Sequence, residues 1–264
     1  MLSGERELEA ELEDLMSILT ESNLEAEAEW EAEGEARVPA GRCTPTGTRV
    51  GSLTCSDTEH ASVENLLQMS IPPATLRAAV ETSAGAVVSL INTAAATLDR
   101  PNRTAASRAA FCAAFGVTPE FVPAWRSTLR GVVRWRDLGE LVAIRLRDAA
   151  KIIDGGCIRY FCWGSAAHCP ECTGAPTTYI SCSSFRGQYT ICLGDGFWRA
   201  WQAGDTVTTD LNLLHEALHI YFSTTVAHTG RTGNAYCYQS YVANINGLTI
   251  PQRITDRCPV GVCT

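Results

Sequence analysis

The segment best suited to chemistry is residues 210–222, DLNLLHEALHIYF, which contains an HExxH motif. Residues four apart on a helix lie on one face, so the imidazoles of His215 and His219 can bind one metal ion. Glu216 lies beside them and can accept a proton from a water molecule. Two imidazoles with a neighbouring carboxylate are typical of catalytic Zn²⁺ sites, which keep one coordination position for water. The motif therefore predicts a zinc-dependent hydrolase in which Glu216 activates a zinc-held water.

A catalytic zinc site takes a third ligand from the protein. The predicted third ligand is His228, which lies nine residues after His219 and offers the ring nitrogen that zinc prefers. Tyr236 is the alternative, either as a weak ligand or as a hydrogen-bond donor to an oxyanion. A downstream glutamate ligand is excluded, because Asp256 is the one acidic residue after Glu216. Two further side chains stay open as ligands, Cys237 and Asp256.

Helix and strand patterns around the motif must position these residues. Apolar residues recur at helical spacing around the histidines, which predicts a helix at residues 209–223. A β-branched stretch at residues 188–193 predicts a strand before the HExxH helix, a position at which zincin-type folds have an edge strand that binds an extended substrate through its backbone. A second strand is predicted at residues 177–182. Ala- and Leu-rich stretches predict further helices at residues 61–67, 73–99, 104–115, 119–131 and 135–153.

The cysteine content is high, with twelve cysteines in 264 residues and six of them between residues 157 and 192. An even number clustered in a loop-rich region favours disulfide bonds, which stabilise segments with little core of their own. The alternative is a structural zinc knuckle, because Cys169 and Cys172 have CxxC spacing and His168 and Cys162 lie nearby.

The composition, 45% hydrophobic and 19% charged, is that of a folded chain with a sizeable core. The net charge of −8 is unevenly distributed, because residues 1–36 hold thirteen acidic residues and one arginine, a charge of −12, which leaves +4 for the remainder. The remainder has no basic run, so we expect no binding to nucleic acid. Polar residues interrupt every apolar stretch before the roughly 18–20 residues of a spanning helix, so we expect no membrane insertion.

The charge division and the Pro- and Gly-rich region after it predict three parts. Within the first part, the acidic leader, residues 5–19 have the spacing of an amphipathic helix. Alternating glutamates at residues 25–35 repel one another and favour disorder. The second part is predicted to be a linker with a loop closed by a disulfide between Cys43 and Cys55. The parts are an acidic leader at 1–37, a linker at 38–60 and a catalytic domain at 61–264.

The leader lacks the basic start and apolar middle of a secretory signal, so we expect synthesis in the cytoplasm and export or injection by a non-Sec route. Its alternating glutamates resemble the acidic leaders on cargo of contractile injection systems. That resemblance implies a delivery apparatus as partner and a role as a secreted or injected toxin or effector. Such a route to an oxidising compartment also reconciles disulfides with the missing signal.

The chain resembles the deuterolysin or aspzincin metallopeptidases, in particular bacterial relatives of peptidyl-Lys metalloendopeptidases. The resemblance covers residues 60–250 and follows the order of a helical half, a strand ending in ICL, an FW pair, the HEALH helix and a TGNAYCY segment. It implies an α+β, zincin-like fold with a helical N-terminal half, a small antiparallel sheet and an active-site helix. The implied activity is zinc-dependent hydrolysis of peptide bonds in protein substrates.

In that family the residues at His215, Glu216 and His219 bind zinc and activate water, so these roles carry over. The third ligand there is an aspartate after the second histidine, followed by a tyrosine that stabilises the transition state. Here Tyr238 matches the tyrosine, but the segment 232–238 contains no aspartate. The alternative function is therefore a cysteine-stabilised binding or toxin module with a structural or degenerate metal site. Hydrolysis of a non-peptide amide is a third reading, because HExxH specifies water activation and not the substrate.

Overall fold

A computed structural model describes most of the chain from residue 52 onward. The described residues are 52–124, 126, 134–164, 168–170, 172, 176–184, 189–222, 231–258 and 260–263. Within them the chain is α+β, with eight helices and one four-stranded sheet. In chain order the elements are β1 Ser52–Thr54, α1 Asp57–Leu67, α2 Pro73–Thr97, α3 Ala105–Phe115, α4 Leu138–Asp154, β2 Arg159–Phe161, β3 Ser181–Ser184, β4 Thr190–Leu193, α5 Asp195–Gln202, α6 Thr206–Phe222, α7 Ala235–Ile245 and α8 Gln252–Arg257.

A capping interaction fixes where α1 begins. The Ser56 hydroxyl accepts a hydrogen bond from the backbone N–H of Glu59, whose carboxylate accepts one from the Ser56 N–H at 2.8 Å. This capping box starts α1 at Asp57, four residues before the predicted start. The predicted linker at residues 38–60 is therefore wrong from residue 52 onward, where β1 and α1 belong to the fold. The predicted leader at residues 1–37 lies outside the described residues.

The predicted helices at residues 73–99, 104–115, 135–153 and 209–223 are confirmed as α2, α3, α4 and α6, with ends within three residues of the prediction. The predicted helix at residues 119–131 is wrong over 119–123, which form a turn followed by irregular backbone. The carbonyls of Pro119 and Phe121 accept hydrogen bonds from Gly139 and Leu138 at the start of α4. Those carbonyls are thereby engaged by another element and do not begin a helix of their own.

The sheet has the order β1-β2-β4-β3. Strands β1, β2 and β4 are parallel, and only β3 runs antiparallel, next to β4. The predicted small antiparallel sheet is therefore wrong. Four described helices lie between β1 and β2 and bring the chain back to the same end of the sheet, so that β2 runs parallel to β1. The strand predicted at 188–193 is confirmed as β4, but it is an interior strand, and β3 forms the edge beside α6.

Strand β3 presents different chemistry on its two faces. Its sequence SCSS alternates, so that Ser181 and Ser183 share one face while Cys182 and Ser184 share the other. The serine face of β3 meets α6, since Ser181 hydrogen-bonds to side chains of that helix. Cys182 lies opposite Cys192 of β4 on the other face. This alternation directs two hydroxyl groups toward the HExxH helix.

Helix α2 lies at the centre of the helical core. Its buried residues recur every three or four positions and pack against α4, α6 and α7. By length and composition alone, α2 is long and apolar enough to cross a membrane. The polar residues in its sequence therefore do not exclude a spanning helix, contrary to the prediction. Its contacts with three neighbouring helices are those of a central core helix.

Helix α5 is anchored beside β2, because the Trp198 indole of α5 donates a hydrogen bond to the Cys162 carbonyl at 2.6 Å.

Disulfide bonds crosslink the described residues, which confirms the disulfide prediction. The zinc-knuckle alternative is wrong, because both thiols of the CxxC segment are used in disulfides. The predicted Cys43–Cys55 loop is also wrong, because Cys55 bonds to Cys162. The pairs are Cys55–Cys162, Cys112–Cys263, Cys169–Cys192, Cys172–Cys182 and Cys237–Cys258, and Cys157 is disulfide-bonded as well.

Candidate metal centre

Helix α6 brings the three HExxH side chains together in the interior. His215, Glu216 and His219 are 6%, 4% and 8% exposed, respectively. The Nε2 atoms of the two histidines lie 3.0 Å apart, and their rings meet edge to face. The one-turn spacing of the motif therefore directs both ring nitrogens at one point, as the sequence predicts.

The histidine pair has the geometry of two ligands of one metal ion. Two imidazoles that bind zinc at about 2.0–2.1 Å in a tetrahedral arrangement have their nitrogens about 3.3 Å apart. The observed 3.0 Å between His215 Nε2 and His219 Nε2 is close to that separation. Among the described residues, no group of three or more His, Cys, Asp or Glu side chains is placed to hold a metal ion. The described donors thus supply two of the three protein ligands expected for catalytic zinc.

The candidates for the third ligand are resolved only in part. His228 lies outside the described residues. Cys237 cannot supply a thiolate, because it is bonded to Cys258. Asp256 is exposed on α8, where its carboxylate accepts a hydrogen bond from Gln252 at 2.7 Å. Tyr236 is the one described candidate beside the pair, with its ring centroid 4.4 Å from that of His215.

The Glu216 carboxylate is buried against the serine face of β3. The Ser181 hydroxyl donates a hydrogen bond to Glu216 Oε1 at 3.1 Å and also contacts the side-chain amide of Asn212. Burial raises the pKa of Glu216, while the charge of His219 and hydrogen bonds from Ser183 and Ser181 act in the opposite direction. A carboxylate with a raised pKa is a stronger base, which suits a group that accepts a proton from water.

Tyr236 and Tyr238 lie on α7 but have different surroundings. Tyr236 contacts the ring of His215, and burial raises the pKa of its hydroxyl, so the phenol stays protonated at neutral pH and can donate a hydrogen bond. Tyr238 is fully buried, and its hydroxyl donates to the Thr232 carbonyl at 2.8 Å and accepts from Arg145 at 3.1 Å. The structure therefore brings Tyr236 to the histidine pair, and places Tyr238 in the packing that holds the start of α7.

Several polar groups at the site escaped the sequence analysis. Gln239 of α7 contacts the His215 ring, and Tyr179 is close enough to Glu216 for the carboxylate charge to raise its pKa further, after burial. The signal for Gln239 was present, because a glutamine within the apolar stretch AYCYQSYVANI must find a buried partner. The signal for Ser181 and Ser183 was the two-residue alternation of SCSS.

The chain was compared with protein-family models, curated proteins and solved structures, and none of these comparisons gives a match.

Proposed function

We propose that this protein is a zinc-dependent endopeptidase that hydrolyses peptide bonds in protein substrates. The observation that carries the proposal is the shared direction of the His215 and His219 ring nitrogens, 3.0 Å apart, with the buried carboxylate of Glu216 in the same helical turn. The two imidazoles would hold the metal, and His228 or Tyr236 would supply the third ligand. When bound, zinc supplies a Lewis acid that polarises a carbonyl and lowers the pKa of a water molecule.

The protein's own groups perform the proton transfer and position the substrate. Glu216 accepts the proton of the attacking water and later delivers it to the leaving amine. The Ser181 and Ser183 hydroxyls keep the carboxylate in place between these two transfers. With His228 as the third ligand, the protonated hydroxyl of Tyr236 donates a hydrogen bond to the oxyanion that develops on the attacked carbonyl. This role falls to Tyr236 instead of Tyr238, whose hydroxyl is engaged in the core.

A peptide is favoured as substrate by the position of β3. This strand pairs with β4 on one side, and no other described strand pairs with its second side. An extended peptide added to that edge would bind through its backbone amides. Because Ser181 and Ser183 of the same strand contact Glu216, such a peptide would pass close to the catalytic carboxylate. Delivery as a toxin or effector through the acidic leader remains part of the proposal.

The test combines metal content with peptide cleavage. Elemental mass spectrometry of the purified protein should find one zinc per chain, and a peptide library should be cleaved. Glu216→Gln should keep the zinc but lose about 10²- to 10⁴-fold in kcat. Glu81→Gln, an exposed carboxylate on α2 that pairs with Arg77, is the matched control and should cleave like the wild type. A wild type without zinc, or a Glu216→Gln variant with full activity, would refute the proposal.

The third ligand is identified by two further variants. Loss of zinc in His228→Ala, with zinc retained in Tyr236→Phe, assigns the ligand to His228. The reverse result assigns it to Tyr236. Because Cys237 is in a disulfide and Asp256 is exposed on α8, neither enters this comparison.

The binding or toxin module stays as the second candidate. It is favoured by one observation, that among the described residues no third His, Cys, Asp or Glu is placed to hold a metal ion together with His215 and His219. The discriminating property is an open coordination position. In a Co²⁺-substituted protein, a change in the visible absorption spectrum on adding acetohydroxamate indicates an open position and supports the peptidase. An unchanged spectrum supports a closed, structural site.

A further inference from the structure

Gln239 connects the two helices of the candidate metal centre. It lies on α7, is 1% exposed, and its side-chain amide contacts two groups of α6. One is the Leu211 carbonyl, at 2.7 Å from Nε2, and the other is the His215 ring, whose Nδ1 lies 3.3 Å from Oε1. Leu211 and His215 are four residues apart, so Gln239 spans one turn of the HExxH helix.

Hydrogen-bond chemistry fixes the orientation of this amide. A carbonyl oxygen only accepts, so the amide nitrogen of Gln239 must face Leu211. The amide oxygen must then face the ring of His215, and it too only accepts. His215 Nδ1 therefore carries the hydrogen in the neutral ring. Its other nitrogen, Nε2, is left with the lone pair, and this is the nitrogen that lies 3.0 Å from His219 Nε2.

We propose that Gln239 is a positioning residue that selects the Nδ1–H tautomer of His215 and thereby sets the affinity of the centre for zinc. The proposal rests on the proposed function, because it concerns the same metal. Imidazole binds a metal through its unprotonated nitrogen, so an acceptor at Nδ1 prepares Nε2 as a ligand before the metal arrives. It also holds the ring plane, so less rotational freedom is lost when the metal binds.

Other polar contacts attach α7 to the fold away from the centre. Tyr241 shares a hydrogen bond with Thr97 of α2 at 2.7 Å, and Asn246 donates to the Leu90 carbonyl at 3.1 Å. The disulfide between Cys237 and Cys258 joins α7 to the end of α8. Removal of the Gln239 amide should therefore leave α7 in place while the His215 ring loses its acceptor. Tyr241→Phe is the matched control, because it deletes a buried hydrogen bond of the same helix at a distance from His215.

The first measurement is the tautomer of His215 in the metal-free protein. Ring ¹⁵N chemical shifts of ¹⁵N-histidine-labelled protein distinguish Nδ1–H from Nε2–H, and the signals of His215 are those absent from His215→Asn. We expect the Nδ1–H form in the wild type and in Gln239→Glu, whose buried carboxyl group, when protonated, can donate to the Leu211 carbonyl and accept from His215. We expect a mixture of tautomers in Gln239→Met. A wild-type His215 in the Nε2–H form overturns the inference.

The second measurement is the zinc dissociation constant from competition with a chromophoric chelator. We expect Gln239→Met to raise it about 10- to 100-fold. Gln239→Glu should restore it to near the wild-type value, and Tyr241→Phe should change it less than twofold. Equal zinc affinity in Gln239→Met and wild type overturns the inference while the proposed function stands. A wild type that binds no zinc refutes the proposed function and the metal half of the inference. The ring ¹⁵N shifts then still decide the tautomer half.

Discussion

Cys182 on β3 lies directly opposite Cys192 on β4, and the two are bonded to different ends of one CxxC segment. Cys182 bonds to Cys172, and Cys192 bonds to Cys169. The segment thus crosslinks the two strands on the face opposite Ser181 and Ser183. Because those serines hydrogen-bond to Glu216, Cys182 lies one residue away along β3 from each group that holds the proposed general base.

Removal of the Cys172–Cys182 disulfide should therefore reduce catalysis as well as stability. The double variant Cys172→Ser/Cys182→Ser opens a short loop, with a sequence separation of 10, and the chain-entropy model gives a loss of about 3 kcal/mol. Because β3 loses its covalent tie, we expect kcat to fall at least tenfold at a temperature where the variant is fully folded. Circular dichroism sets that temperature, and peptide cleavage gives kcat.

The Cys112–Cys263 disulfide provides the opposite case. Its sequence separation is 151, and the same model gives a loss of about 5 kcal/mol before the other disulfides shorten the loop. It joins α3 to the C-terminal segment, where Gly261 also donates a backbone hydrogen bond to the Ala113 carbonyl of α3. Cys112→Ser/Cys263→Ser should therefore lose more stability but keep kcat when folded. Equal losses of kcat in the two double variants would refute a special role for the β3 crosslink.

The serine face of β3 gives a second prediction. Ser181→Ala and Ser183→Ala each remove a hydroxyl near the Glu216 carboxylate, so each should lower kcat about 3- to 30-fold, corresponding to roughly 0.7–2 kcal/mol. Zinc content should not change, because both hydroxyls hydrogen-bond to Glu216, which is not a proposed zinc ligand. Ser184→Ala is the matched control, since Ser184 is buried on the other face of the same strand. The prediction fails if Ser184→Ala is as damaging as the other two.

The two tyrosines of α7 give a third prediction. If Tyr236 donates to the oxyanion, Tyr236→Phe should lower kcat about 10²-fold while zinc content and stability stay near wild type. Tyr238→Phe should do the reverse, because its hydroxyl bonds to Thr232 and Arg145 in the core. We expect it to cost about 1–2 kcal/mol of unfolding free energy with little change in kcat. Peptide cleavage and urea denaturation of both variants separate the two roles.

Asp210 gives a prediction for pH dependence. Burial raises the pKa of this carboxyl on α6 from its ordinary 3.8 to about 6. The folded state then binds more protons than the unfolded state between these values, so stability is lost as the pH rises through about 6. Asp210→Asn should therefore match the wild type near pH 4 and exceed its unfolding free energy by about 2–3 kcal/mol at pH 7.

Urea denaturation at both pH values tests this prediction. Asp256→Asn removes an exposed carboxylate on α8 and serves as the control for the loss of one surface charge. A constant difference between Asp210→Asn and the wild type across the same range would contradict the assigned pKa.

The sequence predicted the helices well, because their signals are local. Capping residues and apolar spacing mark α2, α3, α4 and α6 within a few residues. The sheet was predicted less well, because the pairing of β1 with β2 joins residues more than a hundred positions apart. Three-residue strands carry too little alternation to be found. The error at residues 119–123 also has a non-local cause, since their carbonyls are used by the start of α4.

The candidate site divides in the same way. His215, Glu216 and His219 could be read from one helical turn, since their geometry depends on that turn alone. Gln239 and Ser181 reach the site from α7 and β3, so only the folded chain reveals them. The likeness of segment 232–238 to a family motif favoured Tyr238, whereas helix geometry directs Tyr236 and Gln239, three residues apart, to the His215 ring.

The long-range crosslinks also constrain the order in which the molecule is assembled. Cys112 cannot form its disulfide until Cys263 has been synthesised, 151 residues later. At about 5–20 residues per second this delay is about 8–30 s. During that time the α3 thiol is available to the wrong partners. The Cys112–Cys263 crosslink can therefore form only after the cysteines of the other four described pairs have been synthesised.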